Sequence, residues 1–579
     1  MLTHMHVYGS INMVAYATIF SRRIPMIYEE ITVPIPQRKR IRKSGGPKYV
    51  YEVLARKGRY SDKDVVSFVG VQIDDEFMHP NEKYFELHPE RDSEKPLDEV
   101  TQFDKQVHLG APLVLRKIAK REGLDTALKE SFPGYDELMM TLLEYYLFRR
   151  ESASQLYRYY LYDHYSELNY IPSESKLSRF FTEYLSHERI SVFLEKWMEY
   201  RCSRLPNGSA IDIAFDSTSF NISSGHVLSA EYGKAKVDEG LPQVNVAYFL
   251  DRKSGIPIYF DLYYGSIIDM SHCQVALEKI KAVKHDLKGS FVMDRGYFCS
   301  ENIEYMSDSG YLFMCMGKAG RMLDKLIAAN PRDKLCMAQN RIYNTIYGLK
   351  FKGKPFEKSR NEYFLYLYYN EGDVATLAAA KQDSIEYISN HLAGKKDDKR
   401  RIRNTYEKMI NIAVDEDDVI TESSIRYEYL DNYRKECGYF WIISNEDLSP
   451  DDVLTSYRHR DMIEKQFMYA KSGADLNKTY SSDDAAFEAK SFMGFLSSIL
   501  RAALTVGIRP YVLQYSSETS QTVLCELDKI KAEYIKSTYV LRYALTSRQK
   551  QLLSLFDMNT GDVTDMVKTL DFTRKELNP

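Results

Sequence analysis

In the stretch YRHRDMIEKQFMYAK, Tyr457, Arg460, Glu464 and Lys471 stand at offsets of zero, three, seven and fourteen. At about 100° per residue these fall at roughly 0°, 300°, 340° and 320° around a helix, an arc of about 60°. A phenol, a guanidinium, a carboxylate and an ammonium would then share one face of a helix running from 457 to 471. Ile463, Phe467 and Ala470 fall at roughly 240°, 280° and 220°, so an apolar stripe lies beside the polar one and can anchor it. A helix anchored by that stripe would hold a carboxylate, two cations and a phenol at the edge of a packed core. The alternative is a solvated face carrying an Arg460/Glu464 pair one turn apart.

Two further acids close apolar runs. In AIDIAFDSTSF the polar and apolar positions alternate, so Asp212, Ala214 and Asp216 face one side of a strand and Ile211, Ile213 and Phe215 the other. Asp216 is expected at the strand's end, where DSTS turns the chain. In GSFVMDRGYF the run Phe291, Val292, Met293 leads into Asp294 and the turn Arg295-Gly296. Taken singly, each acid could equally be a turn or capping residue. Together with Glu464 they supply the three carboxylates of a two-metal site, which activates an attacking oxygen and stabilises a leaving one in phosphoryl displacement. Magnesium suits such ligands, because it takes a few carboxylates, retained waters and phosphate oxygens. No His/Cys cluster with zinc spacing and no G-x-x-x-x-G-K-[ST] cradle competes in the sequence.

The elements that must position these residues follow from hydrophobic period. Residues 1–105 mix short alternating segments with a basic arm, PQRKRIRKSGGPK; Met26 is an alternative start to Met1. Residues 106–205 read as amphipathic helices separated by Gly or Pro stops, a DNA-binding or dimerisation module. From 206 to 317 the pattern becomes strand, hairpin, helix, strand, the mark of a mixed sheet covered by helices. Residues 318–435 read as a β-rich insertion, and GYFWIISN resumes the buried-strand pattern over 436–508 before a helical region at 509–579. Trp441 in GYFWIISN is a candidate for stacking on a base but better suits the core. The tyrosines of the insertion are further stacking candidates.

At 579 residues, with 44% apolar and 28% charged side chains, the composition is that of a globular protein with at least one large core. The longest apolar run, near INMVAYATIF, is shorter than a membrane span requires. Seven separated cysteines without a C-x-x-C pair suit a reducing cytoplasm. The net charge of −4 gives no global pull on nucleic acid, so any such partner must meet local patches: the basic arm, or KKDDKRRIR at 395–403.

FDSTS, MDRGY and the spaced set Tyr457, Arg460, Glu464, Lys471 resemble the D-D-E transposases of bacterial insertion sequences, in the subgroup marked by Y-x2-R-x3-E-x6-K. The resemblance covers about 206 to 508, including a Gly265 to Asp269 turn in which Ser266 stands where Asn is common. It implies an α/β fold with an RNase H-like mixed sheet, interrupted by the insertion before the third acid. It also implies catalysis by Asp216, Asp294 and Glu464 holding two Mg2+ ions, with Mn2+ substituting. Tyr457, Arg460 and Lys471 would contact phosphates, and Arg295 could add a phosphate clamp. The implied partners are double-stranded DNA, as element ends and target, and a second copy of the chain. A metal-dependent nuclease without strand transfer, or a DNA-binding protein with a vestigial triad, are the alternatives.

Overall fold

The computed structural model describes residues 27–28, 31–43, 46–55, 65–88, 91, 106–149, 154–168, 170–206, 209–233, 240–397, 400–472, 478–479, 481, 483–535, 538–570 and 575–576. INMVAYATIF and Met26 lie outside them. The chain divides into two units, residues 1–104 and 105–579.

In the first unit an antiparallel sheet runs in the order Val33–Pro34, Phe77–Pro80, Val65–Gln72, Lys48–Ala55, Lys39–Lys43. Val50, Val69 and Met78 form a core with Tyr84 and Phe85 of the helix Glu82–Leu87. Asn81 caps that helix, its side chain accepting from the Tyr84 amide. The basic arm supplies the edge strand KRIRK, exposed along its whole length. Charge on an edge strand discourages pairing with other chains.

The second unit begins with helices α1 (Gly110–Glu122), α2 (Leu124–Ser131), α3 (Asp136–Arg149), α4 (Ser154–Asp163) and α5 (His187–Ser203). Gly123, at φ 77°, turns α1 into α2 where the Tyr200 ring leaves no room for a Cβ. A meander follows: β1 (Ile211–Ile222), β2 (Gln243–Asp251) and β3 (Pro257–Tyr264), antiparallel throughout. α6 (Asp269–Val283) crosses to β4 (Gly289–Met293), which runs parallel to β1, and α7 (Ser300–Asp308) leads to β5 (Leu312–Met316), parallel to β4. β2 and β4 are buried at every residue, and the polar Gln243, Asn245 and Asp251 of β2 are buried with them.

The stretch expected as a separate β-rich insertion instead lends strands to the same sheet. These are β6 (Arg341–Tyr343), β7 (Ile346–Gly353) and β8 (Tyr363–Asn370). After α8 (Val374–Asn390) and α9 (Tyr427–Glu436), β9 (Tyr439–Ser444) enters between β5 and β8, antiparallel to both. The order is therefore β3-β2-β1-β4-β5-β9-β8-β7-β6, with β10 (Lys478–Thr479) beside the far end of β1. The remainder of the inserted stretch keeps a small core of its own, Ile385, Leu392, Ile410 and Ile420, around a two-stranded hairpin.

The tyrosines of β8 do structural work. Tyr363, Tyr366, Tyr368 and Tyr369 are buried, which removes these four from the stacking candidates, whereas Tyr343, Tyr387 and Tyr427 of the inserted stretch are exposed. Tyr366 Oη donates to the Glu446 or Leu448 carbonyl at 3.1 Å, and Tyr368 Oη to the Pro450 carbonyl at 2.8 Å. They thereby fix the start of α10 (Pro450–Arg458), which precedes α11 (Asp461–Ser472) and α12 (Asp484–Gln514). α12 has 31 residues and is long and apolar enough to cross a membrane, a length that the sequence reading placed nowhere in the chain. Its most apolar window is 78% buried within the chain. Phe492 and Phe495 stack on Phe260, and Phe495 also meets Tyr248 edge-on. α13 (Ser520–Asp528) and a hairpin, Lys531–Ile535 with Thr538–Leu541, follow; the first hairpin strand pairs with Gln106–His108. The C-terminal region is thus helical with an added hairpin.

Trp441 is a core residue, 1% exposed, its indole N–H donating to the Lys318 carbonyl at 3.0 Å and its ring set edge-on to Phe298. A Cβ at Gly317 would lie 1.9 Å from that indole. Gly317→Ala is expected to cost about 1–3 kcal/mol through this overpacking, read as a lower midpoint of thermal unfolding. An unchanged midpoint would contradict the packing.

Candidate active site

Asp216 does not end its strand, contrary to the sequence expectation, for β1 continues to Ile222. What ends is its neighbour. β4 stops at Met293, opposite Phe215, and the chain turns through a short 3-10 segment at Arg295–Tyr297. The next residue on each parallel strand is an aspartate. Asp216 and Asp294 are therefore neighbours at the line where β1 loses its partner.

Each carboxylate is held. Asp216 Oδ1 accepts from the Ser217 amide at 2.8 Å, and Oδ2 from Arg460 at 2.8 Å. Ser217 Oγ lies 2.7 Å from Tyr297 Oη, tying β1 to the turn after β4. Asp294 Oδ1 accepts from Tyr457 Oη at 3.2 Å. Burial pushes the Tyr457 phenol far above its usual range, so it stays a donor. Tyr457 belongs to a core shared by Val292 of β4, Met314 of β5, Tyr366 and Tyr368 of β8, Ile442 of β9 and Leu454 of α10. The inserted strands thus help to aim it.

The stretch read as one helix is two. α10 ends at Arg458, His459 and Arg460 form the turn, and α11 starts at Asp461. The turn is closed by the Arg460 amide bonding the Tyr457 carbonyl at 3.0 Å. Placed between helices, Arg460 reaches two acids at once: the second nitrogen donates to Glu464 Oε1 at 2.7 Å. Burial lowers the guanidinium's pKa, but Tyr457, Asp216, Asp294 and Glu464 outweigh it and keep the group charged. Glu464 lies in the first turn of α11, where the helix dipole favours an anion, and its side chain is 60% exposed. α11 is seated by Phe467 against Tyr248, 5.3 Å between rings, and by Tyr469 Oη at 2.7 Å from Ser497 Oγ of α12.

The structure therefore brings Asp216, Asp294, Glu464, Tyr457 and Arg460 together. Lys471 lies on α11, but its side chain is outside the described residues. Arg295 is exposed beside Asp294 and makes no ion pair with a described residue. The Arg460 guanidinium stands between two of the acids, 2.8 Å from Asp216 Oδ2 and 2.7 Å from Glu464 Oε1. The donors are carboxylate oxygens only and Glu464 is open to solvent, which fits a hard divalent cation.

Among the described residues one cluster brings its ligand atoms within 4.8 Å of one another: His108, His164 and Asp528. No local pattern marks it, since the three residues come from distant segments. The imidazoles stack at 4.5 Å with planes 16° apart. A ring nitrogen's lone pair lies in the ring plane, so two nearly parallel stacked rings cannot both aim at one ion. Asp528 instead bridges them, 2.7 Å from His108 Nδ1 and 3.2 Å from His164 Nε2. Burial opposes its ionisation, yet the bonds from both histidines hold its carboxyl down to about 2. Burial likewise disfavours the His164 imidazolium, but bonds to Asp163 and Asp528 raise its pKa. We read this as a clasp joining Gln106–His108, the end of α4 and the end of α13.

Residues 208–500 match the family model described as "Transposase DDE domain". No curated protein matches the sequence. A solved structure with some likeness is a piggyBac transposase synaptic complex with hairpin DNA, determined by cryo-EM, at 6% identity and a TM-score of 0.30. The likeness covers 62% of this chain and 59% of that chain, so the chain matches about three-fifths of its length.

The clasp carries a pH dependence of defined sign. A histidine whose pKa rises on folding contributes stability below its unfolded value, about 6.5, and loses that contribution as pH rises through the folded value. Asp528→Asn is therefore expected to lower the unfolding midpoint more at pH 5, where the charged His164 loses one of its two carboxylate partners, than at pH 9. Equal losses at the two pH values would rule out the charged pairing.

Proposed function

The chain belongs to the family of transposase DDE domains, and from that membership we propose that it is the DNA transposase of a bacterial insertion sequence. Asp216, Asp294 and Glu464 act as the catalytic triad. The observation that carries this reading is the convergence of all three acids on one place: two on adjacent parallel strands where pairing stops, the third tethered to Asp216 through Arg460. The order β3-β2-β1-β4-β5, with β4 and β5 parallel to β1, supports an RNase H-like core.

Two divalent ions, Mg2+ with Mn2+ able to substitute, would be held by these carboxylates and would supply activation of the attacking oxygen and stabilisation of the leaving one. Asp216 and Asp294 present their oxygens from a rigid sheet, where neither strand can move without breaking the β1–β4 ladder. Glu464 approaches from α11 and is open enough to meet the strand of DNA that arrives. Tyr457, Arg460, Lys471 and Arg295 contact phosphates near the cleaved end, offering donors and positive charge where negative charge accumulates. Water, then the freed 3′-hydroxyl, serves as the nucleophile: element ends are cut, and the exposed strand is joined to target duplex. A homodimer pairs two inverted ends, in the bacterial cytoplasm at the nucleoid.

The test mixes purified chain, Mg2+ and the DNA flanking its own reading frame. Nicks at inverted ends are expected, and pre-cleaved ends should be joined to a second duplex; cleavage without joining would leave a nuclease. Glu464→Ala is expected to lower nicking by at least ~100-fold with DNA binding retained, because it removes charge stabilisation from the chemical step. Nicking by Glu464→Ala at the wild-type rate would exclude this triad.

A further inference from the structure

Arg460 sits where the ions must act. One nitrogen holds Asp216 and another holds Glu464, so a single cation spans two of the three acids. Its side chain is only 13% exposed, and the Tyr457 ring lies 5.8 Å from the guanidinium carbon. Tyr457 in turn holds Asp294. Every acid of the triad is therefore engaged by the pair Tyr457 and Arg460.

Two divalent ions on the same carboxylates would bring four positive charges within a few ångströms of the guanidinium. Like charges at that distance repel strongly in a partly buried site. The planar fork that grips the acids also matches the oxygens of a phosphate diester, which can accept the same two N–H bonds. Arg460 belongs to the turn between α10 and α11, so its side chain can leave the acids without unwinding either helix.

We propose that Arg460 is a positioning residue that occupies the acids before catalysis and hands them to divalent ions when a DNA phosphate takes up its guanidinium. Ions and DNA then bind with positive coupling, each improving the other's affinity by the same factor. The proposal rests on the reading of Asp216, Asp294 and Glu464 as metal ligands. It goes beyond that reading in making Arg460 a competitor of the metal in the free protein and the link to DNA in the complex.

The experiment measures Mn2+ affinity of the full chain by titration calorimetry and by the electron paramagnetic resonance of free Mn2+, with and without a mixed-sequence duplex oligonucleotide. Without DNA, Arg460→Gln is expected to bind Mn2+ at least ~5-fold more tightly than wild type. Duplex should tighten Mn2+ binding to wild type by a similar factor and to Arg460→Gln by less. Arg460→Lys, which keeps the charge but cannot bridge both acids, should fall between. A merely structural role for Arg460 would lower affinity on substitution, so equal or weaker binding by Arg460→Gln overturns the proposal. Wild-type protein alone gives a second measure, because no tightening by duplex also overturns it. Glu464→Gln separates the two levels. Weakened Mn2+ binding there, with Arg460→Gln unchanged, sinks only the coupling; wild-type binding by Glu464→Gln sinks the triad reading and the coupling with it.

Discussion

The parallel pairing of β1 with β4 stops one residue before an aspartate on each strand, and the rest of the site is arranged around that stop. A carboxylate inside a fully paired, fully covered sheet would be desolvated and neutralised. One beyond the sheet would lose its rigid support. Asp216 and Asp294 fall on that boundary, both partly exposed, with the β1–β4 ladder behind them. That boundary sets two acids side by side, an arrangement that a nearby cation stabilises. Arg460 is the cation the chain itself provides.

The sheet extends well beyond the strands that carry Asp216 and Asp294, and the extra width helps to set their surroundings. β9 threads between β5 and β8, and the tyrosines of β8 bond the carbonyls that lead into α10. Tyr457 near the end of α10 thereby inherits its aim from strands that contribute no acid. Beyond it, the turn at His459 and Arg460 lets α11 lean on β1 and α12, where Phe467 and Tyr469 fix it. Positioning is shared among the whole sheet, two helices and one turn.

Motif and spacing single out Asp216, Asp294 and Glu464 as a set in the sequence; their setting was only partly legible. Alternation in AIDIAFDSTSF showed which face Asp216 takes, but a strand's length depends on partners, and β1 is prolonged by pairing with β2 and β10. The 3.6-residue period of 457–471 survived a break in the helix because Tyr457, Arg460 and Glu464 still meet, though through a turn that no periodicity encodes. Buried tyrosines in the inserted strands look the same in sequence as exposed ones, and only the neighbour β9 decides. The His108, His164 and Asp528 clasp was invisible, since nothing local connects residues joined by long-range folding. Arg295 showed the opposite limit: its place beside Asp294 was plain, while its lack of a described ion-pair partner needed coordinates.

Because β9 is inserted between strands made long before it, the order of synthesis matters. As the polypeptide leaves the ribosome, β5 remains an open margin until Tyr439–Ser444 emerges to zip against it. Glu464 follows later still. A nascent chain therefore sets Asp216 beside Asp294 before Arg460, the cation that holds Asp216, and Glu464 have been made.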